Sequence, residues 1–158
     1  MAYLVWTPEL ENQHPQMDQT HREFVELMGQ VEAALGGEQA QLLQRFDALH
    51  EHTVAHFEQE DRWMADTGFA PDNCHSSQHR QVLDLLKEVR RLVVDENQQE
   101  LIGRLLPELA TWFEQHAQAA DSALAFHMSQ VGYDAATRRS ERPVEAEEAI
   151  SGCGSSSC

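Results

Sequence analysis

Residues 75–93 read HSSQHRQVLDLLKEVRRLV, and this stretch decides the fold class. Its apolar and histidine positions follow one another in alternating steps of four and three residues. Those positions are His75, His79, Val82, Leu86, Val89 and Val93. A helix with 3.6 residues per turn places them on one face. The stretch therefore predicts an amphipathic helix whose buried stripe includes two histidines.

Three other segments show the same pattern. Their stripes consist of His21, Phe24, Met28, Val31 and Leu35; of Leu42, Phe46, Leu49, Thr53, His56, Glu60 and Trp63; and of Ile102, Leu105, Leu109, Trp112, His116, Ala119, Ala123 and Phe126. Four such helices joined by short links predict an all-α fold, an antiparallel up-down-up-down four-helix bundle.

Glycine, proline and capping residues set the expected limits of the helices. We expect helices over 18–35, 38–66, 73–94 and about 100–130. Asp18 is the predicted N-cap of the first, and Asp72 or Asn73 that of the third. Pro107 predicts either a kink or a later start of the fourth helix.

The chain divides into three expected parts. Residues 1–17, with two prolines, predict an extended N-terminal arm, and residues 18–132 the bundle. Residues 133–158 carry an acidic stretch and a Ser-, Gly- and Cys-rich end, which predict a flexible, disordered tail.

Composition narrows the function classes. The chain has 158 residues with 27 Asp and Glu against 11 Lys and Arg, a net charge of −16. This charge argues against nucleic acid or an anionic membrane as a partner. The longest apolar run, residues 1–6, is far too short to span a membrane and lacks the features of a signal peptide. We therefore expect a cytoplasmic protein.

Seven ionisable side chains fall on or beside the predicted stripes. They are His21, His56, Glu60, His75, His79, His116 and Asp121. One buried histidine is usually a hydrogen-bonded core residue. Seven such groups buried near one end of a bundle are hard to satisfy by hydrogen bonds alone, so the set predicts a metal centre.

The number and type of these groups favour two ions. Seven protein ligands exceed what one ion takes, whereas two ions bridged by two carboxylates accommodate them. Imidazole and carboxylate without thiolate favour iron or manganese over structural zinc. One ion would have six ligands, namely three histidines, the two bridging carboxylates and one solvent-derived bridge. The other ion would have two histidines and the same three bridges, which makes five ligands. The five-coordinate ion keeps a position open for a small diatomic ligand.

The motifs around these residues occur in a fixed order. They are Met17-Asp-Gln-Thr-His21, His56-Phe-Glu-Gln-Glu60, His75-x-x-x-His79 and Trp112-Phe-Glu-Gln-His116-x-x-x-x-Asp121, together with Trp6-Thr-Pro and Met64-x-x-x-Gly68-Phe69. A single His-x-x-x-His is weak evidence, whereas the ordered set of seven is specific. From about Trp6 to His127 the sequence resembles the hemerythrin family of HHE cation-binding domains, in its bacterial branch.

The resemblance implies a non-haem, oxo- or hydroxo-bridged centre of two iron ions that binds O2 reversibly at the five-coordinate iron. By the family pattern one iron is held by His75, His79 and His116, the other by His21 and His56, and the bridges are Glu60 and Asp121. The O2 pocket would be lined by Phe57, Trp112, Phe113 and Ala117, whose apolar side chains exclude water.

Two details of the fourth helix lead to separate predictions. Asp121 follows His116 by five residues, which on a regular helix turns it about 140° away. We therefore predict a π-type widening over 117–121. Ala117 stands where the family usually has a bulkier aliphatic residue, and we hypothesise that the smaller side chain speeds oxidation of the bound state.

The cysteines do not form a disulfide framework. Cys74, beside His75, is interpreted as a packing residue. Cys153 and Cys158 belong either to a disordered end or to a thiol pair for redox sensing or transient metal binding. Of the remaining histidines, His14 is expected in the N-terminal arm, and His50, His52 and His127 are expected at the surface or rim of the bundle.

These inferences predict an O2-binding protein that stores, delivers or senses O2 and does not turn over a substrate. One alternative is an enzyme that uses the same centre for oxidation or for reduction of peroxide or nitric oxide. Another is an iron store, or a signalling module whose unknown protein partner reads the state of the iron. The histidine-rich set favours binding, because it resembles the reversible carriers rather than carboxylate-rich sites that activate O2.

Overall fold

The chain forms four consecutive helices packed as a bundle in the computed structural model, which describes residues 2–142 and 149–152. The helices are α1 (Pro15–Ala34), α2 (Gln39–Asp66), α3 (Cys74–Glu96) and α4 (Glu100–His116), and α4 continues through a π turn (Ala117–Asp121) into α5 (Ser122–Val131). Helices α1 and α3 each contact both α2 and α4, which closes the bundle. The all-α prediction is confirmed.

Helix α1 begins three residues earlier than predicted, because its N-cap is His14 and not Asp18. The His14 Nδ1 accepts a hydrogen bond from the Met17 N–H at 3.1 Å. Pro15 occupies the first helical position, where its missing N–H removes no intrahelical bond. Asp18 instead accepts from the Asn12 N–H at 2.7 Å, which fastens the arm to the helix.

The other helix limits lie close to the predicted ones. Helix α3 begins after Asn73, one of the two predicted caps, whose side chain accepts from the Ser76 N–H at 2.9 Å. Helix α4 begins at Glu100 and contains Pro107 in its interior, so the later helix start is not observed.

Apolar side chains of all four helices fill the core. Phe24, Phe46, Leu86 and Ile102 are almost completely buried. Each such side chain contributes about 1.5–3 kcal/mol to folding relative to an exposed one. In the N-terminal arm, Leu4 and Leu10 are also buried in this core, so the arm packs along the bundle.

The stripe predicted beyond His116 is wrong. Ala119 and Phe126 are exposed, the latter at 67%, whereas Leu124 and Met128 are buried. The π turn explains the shift, because it contains more residues per turn than an α-helix and moves the buried face along by one position.

Part of the predicted disordered tail is folded, which corrects that expectation. Tyr133–Asp134 and Arg139–Ser140 pair as short antiparallel strands, β1 and β2. Arg138 donates two hydrogen bonds of 2.8 Å to the Asp66 carboxylate, and the Tyr133 hydroxyl donates a third at 2.6 Å. These contacts hold the hairpin against the end of α2.

The turn that leads into this hairpin requires glycine. Gly132 has φ +63°, and a Cβ there would lie 2.9 Å from the Cβ of Glu141. An L side chain would therefore be both strained and too close to the returning chain.

None of the described helices has an apolar stretch of the length needed to cross a membrane.

Candidate metal centre

The four-helix core brings together all seven ionisable side chains singled out in the sequence. One or two come from each helix and one from the π turn: His21 (α1), His56 and Glu60 (α2), His75 and His79 (α3), His116 (α4) and Asp121 (π turn). Each has 3% or less of its surface exposed. Their ligating atoms form two overlapping groups that could each hold a metal ion. The groups are Glu60, His75, His79, His116 and Asp121; and His21, His56, Glu60 and Asp121.

Glu60 divides its two oxygens between the groups. Its Oε1 lies 2.8 Å from the Nε2 of His56 and 3.5 Å from that of His21. Its Oε2 lies 3.3 Å from the Nε2 of His75 and 3.2 Å from that of His79. One oxygen towards each set of imidazoles is the arrangement that a bridging carboxylate requires.

Asp121 is shared in the same way. Its Oδ2 lies 3.1 Å from the Nε2 of His21, and its Oδ1 lies 3.0 Å from the Nε2 of His75 and of His116. The predicted π turn over Ala117–Asp121 is confirmed. Because the turn is widened, Asp121 faces the core although it follows His116 by five residues.

Burial and opposite charge act against each other at these groups. Burial acts to raise the pKa of Glu60 and of Asp121, but the surrounding imidazoles hold both pKa values well below their usual range. Burial acts to lower the pKa of His21 and of His75, but the close contacts and negative charge of the two carboxylates raise both to about 10. For His116, burial prevails and its pKa is lowered. The two carboxylates are therefore ionised inside a cluster of imidazoles.

Several of these atoms lack a hydrogen bond within the part of the chain that the structure describes. They are the Nε2 of His21 and both oxygens of Asp121, all fully buried. Imidazole nitrogens lie 3.0–3.1 Å from the Asp121 oxygens without forming hydrogen bonds to them. Buried polar atoms without partners are costly, and imidazole nitrogens with carboxylate oxygens suit transition-metal cations. The residues thus fit a pair of metal ions.

Two neighbouring side chains that the sequence analysis missed orient the imidazoles. An Asp61 carboxylate oxygen lies 3.0 Å from the Nδ1 of His79, and the Gln78 side-chain oxygen lies 2.7 Å from the Nδ1 of His116. Partners of this type fix the ring orientation of metal-binding histidines. Asp61 follows Glu60 directly, and Gln78 precedes His79, but the sequence has no spacing rule that marks them.

The predicted pocket residues lie against the imidazoles. The Phe57 ring stacks on His79 with centroids 4.0 Å apart and planes at 4°. Trp112 stacks on His116 at 4.4 Å, and Phe113 meets His21 edge-on at 5.2 Å. Phe57 and Phe113 are buried, Trp112 is half-buried, and Ala117 is fully buried within the same core cluster. Their role in an O2 pocket stays a prediction.

The other histidines lie at the rim of the bundle, as expected for His50, His52 and His127, whereas His14, expected in the arm, caps α1. His14, His50, His52 and His127 are half-buried, and among the described residues they belong to neither metal-binding group. His52 and His127 contact the backbone oxygens of Thr20 and Thr67 through Nε2, at 3.1 and 2.7 Å.

Cys74 differs in one respect from its interpretation as a packing residue. Its side chain packs against Ala120, but its sulfur is disulfide-bonded. The packing is as interpreted, but the disulfide bond was not predicted. The predicted alternatives for Cys153 and Cys158 concern residues outside those that the structure describes.

Comparison with known proteins gives matches over most of the chain. Residues 13–125 match the family model of the hemerythrin HHE cation-binding domain. A bacteriohemerythrin of Ralstonia nicotianae is 34% identical over 135 residues, which cover 85% of this chain and 96% of the relative. A bacteriohemerythrin of Stenotrophomonas maltophilia is 27% identical over 127 residues, 79% of this chain and 81% of the relative. One of Pseudomonas aeruginosa is 29% identical over 91 residues, 57% of this chain and 60% of the relative.

Proposed function

This chain belongs to the hemerythrin family, and we propose that it binds O2 reversibly at a centre of two iron ions. In this proposal one iron is held by His75, His79 and His116, the other by His21 and His56, and the bridges are Glu60 and Asp121. The protein would store, deliver or sense O2.

The unequal sharing of imidazoles supports the proposal. Both carboxylates offer one oxygen to each group, but three imidazoles belong to one group and two to the other. The group with His21 and His56 therefore provides one protein ligand fewer, which leaves room for a small molecule. Two bridged irons would supply the electrons and the open coordination position that reversible O2 binding needs.

Aromatic side chains provide the dry surroundings of this position. Phe57 and Phe113 are almost completely buried, and Phe113 contacts both His21 and Phe24. Trp112 stacks on His116 of the other group and meets Phe57 edge-on at 6.0 Å. Because these rings exclude water, they limit the supply of protons that would promote irreversible oxidation. They thus favour binding over turnover.

The test begins with iron content and spectra. The purified chain is loaded with iron, its metal is counted, and it is reduced without air before O2 is added. We expect two irons per chain and a coloured O2 adduct that disappears under vacuum and returns with O2. His75→Ala should lose the adduct, whereas the matched control His50→Ala should keep it, because His50 lies outside both groups.

Two results would contradict the proposal. Fewer than two irons per chain in the wild type would rule out the two-ion centre. Direct oxidation without an adduct, coupled to consumption of added peroxide or nitric oxide, would identify a redox enzyme instead.

A further inference from the structure

The three imidazoles of one metal-binding group differ in what their Nδ1 atoms contact. The Nδ1 of His79 lies 3.0 Å from an Asp61 carboxylate oxygen, and the Nδ1 of His116 lies 2.7 Å from the Gln78 side-chain oxygen. The third imidazole, His75, contacts the two bridging carboxylates through its Nε2. Its Nδ1 has no hydrogen-bond partner among the residues that the structure describes.

This nitrogen of His75 faces a cavity. Only 1% of the His75 surface is exposed, but its Nδ1 is not completely shielded. The Nε2 points the other way, into the metal centre. His75 lines a cavity of about 160 Å³. The small accessible part of the ring, with Nδ1, therefore opens onto this cavity.

Small and apolar side chains form most of the cavity wall. Ala120 lies on the π turn, and Ala123 and Leu124 lie on the first turn of α5. Phe69 and Ile150 add apolar surface from outside the helices. The two alanines leave open the space that larger side chains would fill.

Ile150 is held at the wall by backbone hydrogen bonds. Its N–H donates to the Gly68 carbonyl at 3.0 Å, and its carbonyl accepts from the Ala70 N–H at 2.8 Å. It is paired with Phe69 as in a parallel sheet. Ile150 and Ala123 are both half-buried, so the cavity lies close to the molecular surface.

A second histidine adds another polar group to the wall. The Nε2 of His127 lies 2.7 Å from the Thr67 carbonyl oxygen. In the neutral ring this nitrogen therefore carries the hydrogen, and Nδ1 is an acceptor. The His127 ring meets Phe69 edge-on, with centroids 5.5 Å apart. The cavity is thus apolar, with two imidazoles in its wall.

The size and chemistry of the cavity define a class of ligand. A cavity of about 150 Å³ with apolar walls holds one benzene ring. A charged molecule would lose its hydration there, which favours a neutral one. A hydroxyl group can accept from the His75 Nδ1–H when Nε2 binds a metal ion. It can also donate to a bare Nδ1 when Nε2 carries the hydrogen, so its binding does not require the metal.

We propose that this cavity binds a small neutral molecule with an apolar body of about the size of benzene and one hydroxyl group, which pairs with the Nδ1 of His75. The bound hydroxyl gives His75 the kind of partner that His79 and His116 have, and such partners strengthen metal binding. This effect on the metal rests on the proposed function. Binding to the cavity does not, since it can be measured in the metal-free chain.

The first experiment uses the full-length, metal-free chain, with phenol as the probe and toluene as its matched control. Toluene has the same ring without the hydroxyl. A cavity without a partner for the hydroxyl would prefer toluene, because an unpaired hydroxyl is costly to bury. Calorimetric titration should therefore show that phenol binds at least as tightly as toluene.

Two measurements locate the bound phenol. In NMR spectra of the wild type, phenol should shift the methyl signals of Leu124 and Ile150, which line the cavity, but not those of Leu86 in the main core. Ala123→Phe should abolish phenol binding, because its ring fills the cavity. Ala119→Phe, at an exposed position on the π turn, is the matched control and should keep it. Circular dichroism verifies that both variants are folded.

The second experiment uses the iron-loaded chain. A chelator should remove iron several-fold more slowly from the wild type when phenol is saturating, because His75 then has its partner. The rate should not respond to phenol in Ala123→Phe.

Four outcomes are decisive. Tighter binding of toluene than of phenol, or phenol binding that survives in Ala123→Phe, would overturn the proposed site. Unchanged iron removal with phenol bound would overturn its link to the metal. A visible absorption band of phenolate on iron would place phenol at the metal instead of the cavity. Failure of O2 binding alone would contradict the proposed function and leave the phenol measurements interpretable.

Discussion

Asp61 and His79 are joined by a carboxylate-to-Nδ1 contact of 3.0 Å, although 47% of the Asp61 side chain is exposed and His79 is buried. Burial acts to lower the pKa of His79, but the contacts with Asp61 and Glu60 raise it. A residue on the surface of the bundle thus orients an imidazole of the candidate metal centre.

Removing this contact should weaken metal binding. Asp61→Ala leaves the His79 Nδ1 without its partner, and such a loss typically lowers metal affinity about 10–100-fold. Competition with a chromophoric chelator measures the change. Glu58→Ala, at an exposed position on the same helix, is the control. Equal affinities of the two variants would show that Asp61 does not act through His79.

Asp121 should be needed for two ions to bind together. Asp121→Asn keeps the size of the side chain but removes the negative charge that both groups share. We expect metal content to fall from two ions per chain towards one, because a neutral amide is a poor bridge. Metal analysis checks the number, and circular dichroism verifies the helices. A variant that still holds two ions with wild-type affinity would contradict the bridging role.

The metal-free chain should lose stability as the pH rises. The pKa values of His21 and His75 are raised to about 10 by the carboxylates, against an ordinary value of about 6.5. A group whose pKa is raised in the folded state stabilises the fold fully at pH values below its pKa in the unfolded chain. This contribution is lost as the pH rises through its pKa in the folded chain. The Tm of the metal-free chain should therefore fall between about pH 6.5 and pH 10.

His75→Gln provides the comparison, because it removes one of the groups whose pKa is raised to about 10. Its Tm should depend less on pH over the same range than that of the wild type. A wild-type Tm that is constant or increases from pH 6.5 to pH 10 would show that the imidazoles are not charged in the metal-free fold.

Enlarging Ala117 should slow oxidation of the reduced, iron-loaded chain. Ala117 is fully buried next to His116, so an isoleucine there would fill space beside the candidate pocket. The measurement is the autoxidation rate in air at constant temperature, with Tm recorded to detect overpacking. Ala119→Ile is the matched control, since Ala119 is exposed on the same turn. If Ala117→Ile oxidises as fast as the wild type, the size of this residue does not limit the reaction.

The hairpin contact should contribute little to global stability. Arg138 is largely exposed and holds the pKa of Asp66 below its usual range through a hydrogen bond. Exposed ion pairs are worth about 0–1 kcal/mol, so Arg138→Ala should lower the free energy of unfolding by no more than that. Urea denaturation measures it, with Arg142→Ala as control. A loss several times larger would mean that the hairpin supports the bundle.

Long regular patterns made most of the bundle predictable. The stripe from His75 to Val93 has one period throughout, and all of its positions are buried. Asp121 was predictable for a different reason. A carboxylate five residues after His116 can face the same site only if the helix widens between them.

Local and long-range contacts explain what the sequence did not predict. His14 displaced Asp18 as a cap because its ring nitrogen can also accept a backbone hydrogen bond, which residue preferences do not anticipate. The hairpin depends on Arg138 reaching Asp66, 72 positions earlier in the chain. Asp61 and Gln78 became recognisable once the imidazole orientations were known.

Because of the π turn, the site depends on the number of residues between His116 and Asp121. The buried positions after Asp121 are shifted by one residue relative to the pattern before His116. The two halves of the long helix therefore have separate patterns of buried positions. No exchange of side chains within 117–121 can reproduce that offset, whereas deletion of one residue would abolish it. The number of residues between His116 and Asp121, rather than the identity of the intervening residues, therefore decides whether the acid reaches the site.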